Sequence, residues 1–128
     1  MKIPMAVVLI AAIALPGLAE GAKRALDGMT FSGDAGPKGK PAGGKDDLVF
    51  SGGRFRSKAC DPWGFGDAPY TASARDGVVS FAAETNDGKG AKIAWKGTIR
   101  GAALEGAYVW TVPGKEPAEY WIKATLKK

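Results

Sequence analysis

The stretch SKACDPWGFGDAPYT, Ser57 to Thr71, gathers residue types that could do chemistry: the only cysteine of the chain, Cys60, beside Asp61, then Trp63, Phe65 and Asp67. A nucleophilic thiol needs a base, and histidine, the usual base and metal ligand, is absent from all 128 residues. That leaves paired carboxylates, Asp61 with Asp67 or Glu84 with Asp87, which among Gly, Pro and Asn are ordinarily turn formers. ETNDGKG clusters oxygen donors but lacks the spacing and terminal Glu of a calcium loop, and its Asn86-Asp87-Gly88 reads as a hairpin turn. No enzyme, metal site or cofactor is expected from these residues. Cys60 itself has three readings: a buried small apolar side chain at a strand end, a disulfide joining two copies in an oxidising compartment, or a thiol made reactive by Arg54, Arg56 or Lys58.

The compartment is read from MKIPMAVVLIAAIALPGLAEG, where Lys2 precedes an apolar run from Ile3 to Leu15 and Pro16-Gly17 precedes Ala19. This is the pattern of a cleavable signal peptide over residues 1–19. Its run of about 13 residues is short of the roughly 20 that span a bilayer as a helix. The expectation is a periplasmic or secreted domain, residues 20–128, with no permanent membrane span. Without Lys2 the chain has 17 basic and 13 acidic residues, a net charge of +4. Its lysines and arginines are scattered rather than interleaved with aromatics on one face, which argues against nucleic acid. The charge reads as solubility, with some attraction to anionic surfaces. A lone cysteine permits no internal disulfide, so the core must fold unaided.

The elements that must position these residues are short alternating segments separated by turns, the pattern of antiparallel strands with one buried face. AKIAWKGTIRG turns Ile93, Trp95, Gly97 and Ile99 one way, and LEGAYVWT follows with Leu104, Gly106, Tyr108 and Trp110. EYWIKATLKK contributes Tyr120, Ile122, Ala124 and Leu126. Five earlier segments, DGMTFSG, DDLVF, GGRFRSKA, YTASAR and VVSFAAET, bring the count to eight strands. Residues 34–46, rich in Gly, Pro and Lys, have nothing large to bury and read as a flexible loop, or as a basic flap offering Lys38, Lys40 and Lys45 to an anionic partner. Local connections and the need to cover sheet edges favour an all-β, eight-stranded antiparallel up-and-down β-barrel over a sandwich.

AWKGTIRGAALEGAYVWT followed by EYWIKATLKK, with a glycine and an aromatic recurring in each late strand, resembles the small calycin-type barrels: lipocalins, avidins and fatty-acid-binding proteins. The resemblance implies the fold. It implies no ligand, because a Gly-x-Trp motif at the start of the domain and an avidin-like polar triad are both missing. Large aromatics and small residues share the inward faces, so the interior is either filled or holds one small guest. Two functions follow. In one, the barrel binds an apolar or aromatic small molecule among Tyr70, Trp95, Tyr108, Trp110 and Tyr120, with Trp63 and Phe65 as lid residues. In the other, a filled barrel uses its loop aromatics to anchor a protein partner, as an inhibitor, adhesion or envelope-assembly module.

Overall fold

The computed structural model describes residues 21–127 apart from Arg24; the proposed signal peptide, 1–19, lies outside the described residues. Eight strands follow one another in order: β1 (Thr30–Pro37), β2 (Gly44–Ser51), β3 (Arg54–Ser57), β4 (Asp67–Arg75), β5 (Val78–Asn86), β6 (Lys92–Arg100), β7 (Ala103–Thr111) and β8 (Ala118–Leu126). Each pairs antiparallel with the next, and β8 returns to β1 through Phe31↔Leu126 to Pro37↔Tyr120. The result is a closed up-and-down barrel, consistent with calycin-like architecture. Closure leaves no free sheet edge.

The alternation seen in the sequence is the burial pattern of the barrel. Phe31, Leu48, Phe50, Phe55, Tyr70, Phe81, Trp95, Leu104 and Ile122 are buried inside, while Lys92, Lys96, Arg100 and Lys123 lie exposed. Phe50 is the hub, with the rings of Tyr70 and Phe81 each 5.0 Å away, Phe55 at 5.4 Å and Phe31 at 6.0 Å. Among the described residues no helix is long and apolar enough to cross a membrane.

The expected loop over 34–46 is shorter than read. Residues 34–37 and 44–46 belong to β1 and β2, paired as Asp34↔Lys45 and Ala35↔Gly44, and only 38–43 connect them. Backbone pairing needs no large side chain, so composition alone could not exclude it. The connection is tied down where the Trp121 indole donates to the Lys40 carbonyl at 2.8 Å and the Lys38 amide to the Glu119 carbonyl at 2.9 Å.

The two ends of the barrel differ. At one, strands are joined by the two-residue turns 52–53, 76–77 and 101–102; at the other by 38–43, 58–66, 87–91 and 112–117. The short-turn end is closed by residues absent from the sequence reading. Residues 21–23 and 25–26 are helical and bury Ala22 and Leu26 against the core. The Tyr70 hydroxyl shares its proton between the Asp27 carboxylate (2.7 Å) and the Lys23 carbonyl (2.9 Å), and Asp27 also accepts the Gly53 amide at 2.9 Å. Those bonds, the Gly53 amide first and the Tyr70 hydroxyl next, hold the Asp27 carboxyl below its usual value.

Candidate functional site

The long-loop end is organised by the 3-10 helix Lys58–Trp63, which carries Cys60 across the mouth. Its first turn is held from β2. Asp46 occupies an inward position there, in step with Leu48 and Phe50, and accepts hydrogen bonds from the Ser57 hydroxyl and, at 2.9 Å, from the Ala59 amide. Arg56 fastens the other side by donating to both oxygens of Asp61. The helix ends at Gly64 (φ 87), and Gly66 (φ 59) follows in the same left-handed region, which favours glycine. These two reversals divide the aromatic pair between them. Phe65 turns into the barrel and is 6 % exposed, whereas Trp63 stays outside at 70 %.

Below the helix three rings stand side by side on neighbouring strands. Trp95, Tyr108 and Tyr120 are directly opposite one another across β6, β7 and β8. Trp95 stacks on Tyr108 with centroids 4.2 Å apart, and Tyr108 on Tyr120 at 4.9 Å with planes 9° apart. The Trp95 indole donates to the Thr85 hydroxyl at 3.3 Å, so this ring is committed to the core. Over the rest of the ladder lies a pocket of about 330 Å³, walled by Trp63, Phe65, Ile93, Tyr108, Trp110 and Tyr120, with Ala59 and Cys60 on the helix side. The indole nitrogen of Trp110 is buried without a hydrogen-bond partner.

A second pocket of about 320 Å³ adjoins the first and shares Ala59, Cys60, Tyr108 and Tyr120 with it. Its remaining walls are the facing ends of β1 and β2, from Ala35 to Pro37 and from Gly43 to Asp46. One pocket is aromatic and the other contains a carboxylate. Burial raises the Asp46 carboxyl above its usual value, against the bonds from Ser57 and from the Ala59 and Asp47 amides. Burial likewise raises the Tyr108 hydroxyl, with the neighbouring Cys60, Asp46 and Tyr120 adding to it.

Of the residues singled out in the sequence, Trp63, Phe65, Tyr108, Trp110, Tyr120 and Cys60 come together at this mouth, and Tyr70 and Trp95 do not. Tyr70 belongs to the latch at the opposite end and Trp95 to the core beneath the pocket. The Cys60 thiol is partly buried, and burial pushes its pKa up rather than down, which speaks against a reactive thiol. Of the three cations near it in sequence, Arg54 and Arg56 pair instead with Asp67 and Asp61. Ile93 was legible as an inward residue but not as a pocket wall. Asp46 opens the DDLVF segment in step with Leu48 and Phe50, so alternation marks it as inward, but its place at the end of a run rich in Gly, Pro and Lys reads as loop and gives no sign of a site. Among the described residues no three Cys, Asp or Glu side chains are grouped to hold a metal ion. Comparisons with protein-family models, with curated proteins and with solved structures return no match.

Proposed function

We propose that the protein is an exported small-molecule binding barrel that takes an apolar, planar guest into the aromatic pocket at its long-loop end. The observation that carries this reading is the asymmetry of the interior: aromatic rings fill it at one end and leave about 330 Å³ between rings at the other. That volume is at the lower end of the ~300–1,000 Å³ typical of small-molecule sites, so the guest is small. Flat walls from Tyr108, Tyr120 and Trp110 suit stacking and edge-to-face contact with a ring. The reading is of binding rather than catalysis, because burial pushes the pKa of the one thiol at the site up and no histidine accompanies it.

Titration with the neutral dye N-phenyl-1-naphthylamine tests this. Saturable fluorescence enhancement at a single site is expected. Tyr108→Ala or Trp110→Ala should weaken it about tenfold, or about 1.4 kcal/mol, and Trp121→Phe, on the outer face, should leave it intact. Non-saturable binding, or equal affinity in all four proteins, would refute the reading.

A further inference from the structure

Asp46 is a carboxylate placed inside a barrel, 6 % exposed, and among the described residues no lysine or arginine forms an ion pair with it. Its hydrogen-bond donors are all neutral: the Ser57 hydroxyl and the Ala59 and Asp47 amides. The nearest cation in sequence, Lys45, lines the same pocket but is bonded to Asp34 at 2.8 Å, and its side chain is 85 % exposed. The other titratable groups around Asp46 are Asp47, Cys60 and Tyr108, none of them a cation. Buried charges in proteins are ordinarily paired, and here the counter-charge is missing beside a pocket.

That pocket adjoins the aromatic one across Cys60, Tyr108 and Tyr120. The face of an aromatic ring attracts a cation, most strongly where water is excluded. We infer that the guest is a cationic arylalkylamine, its ring held in the aromatic pocket and its ammonium group reaching past Cys60 to the Asp46 carboxylate. This rests on the binding function proposed above and adds the chemical class of the ligand. A neutral hydrocarbon would satisfy only the first pocket. An aromatic acid would bring a second negative charge toward Asp46.

Three ligands of closely similar shape decide the matter by displacing N-phenyl-1-naphthylamine: 1-naphthylmethylamine, 1-methylnaphthalene and 1-naphthaleneacetic acid. The amine is expected to bind tightest, about tenfold above the hydrocarbon, with the acid weakest. In Asp46→Asn, which keeps an acceptor for the Ala59 amide, the three affinities should converge. The inference is overturned if the acid matches the amine, or if the amine keeps its advantage in Asp46→Asn. Failure of the dye itself to bind would instead remove the pocket function on which the inference rests.

Discussion

A carboxylate at an inward barrel position must compensate for lost water, and Asp46 does so with neutral donors alone. Burial outweighs those bonds and raises its carboxyl above the ordinary 3.8. The folded chain therefore holds this proton more tightly than the unfolded one. The stabilisation is full below the unfolded value and is lost as pH rises through the raised folded value, above which the charge opposes the fold. Asp27 runs the other way: its lowered value gives stability above the unfolded pKa that disappears as pH falls through the folded one. Replacing Asp46 by Asn removes the charge, keeps an acceptor for the Ala59 amide and gives the Ser57 hydroxyl a donor instead. Asp46→Asn should thus show a urea midpoint at or above wild type at neutral pH, with the difference shrinking toward pH ~4. Asp46→Ala strands both partners and should cost about 1–3 kcal/mol. Equal losses in the two variants would mean that the fold uses the charge itself.

At the level of strands, alternation identified which side chains of β6 and β7 face inward but not what fills the space beside them. Gly97 and Gly106, opposite each other on β6 and β7, are two of the small inward residues that leave the sequence open between a filled interior and one holding a guest. In the structure a Cβ on Gly97 would lie 2.8 Å from the Phe81 ring and 2.8 Å from the Glu105 carbonyl, and one on Gly106 would lie 2.6 Å from the Lys96 carbonyl. The aromatic ring and the neighbouring strand already occupy that room. Gly97→Ala is accordingly expected to lower stability by about 1–3 kcal/mol through overpacking, measured by urea denaturation. An unchanged midpoint would show that Phe81 can move aside. The same distinction explains the loop. Alternation does not operate between Ser57 and Asp67, so the sequence could name Trp63 and Phe65 but not separate them; the left-handed turns at Gly64 and Gly66 do that. Ala22 and Leu26 have helical spacing, yet two apolar positions beside the apolar run of residues 3–15 are too short a period to read.

For the whole molecule, the difference between the ends separates what holds the barrel from the pocket proposed to bind a guest. Leu26 plugs the short-turn end and is buried against the core, whereas the pocket lies beyond the ring ladder at the opposite end. Mutations at distant sites without shared partners have nearly additive effects. Leu26→Ala should therefore lower stability by about 2–5 kcal/mol, as expected for a buried leucine, while dye affinity under native conditions changes by no more than about twofold. Tyr108→Ala should do the reverse. Tyr108 is only partly buried, so its loss should lower the urea midpoint less than Leu26→Ala does, yet it removes the ring central to both pockets. Measuring midpoint and dye affinity on both variants tests this division directly. If Leu26→Ala weakened dye binding as much as Tyr108→Ala, the plug would be setting the shape of the mouth. Ligand binding and closure of the far end would then be coupled through the filled core between them, and the barrel would act as one cooperative unit.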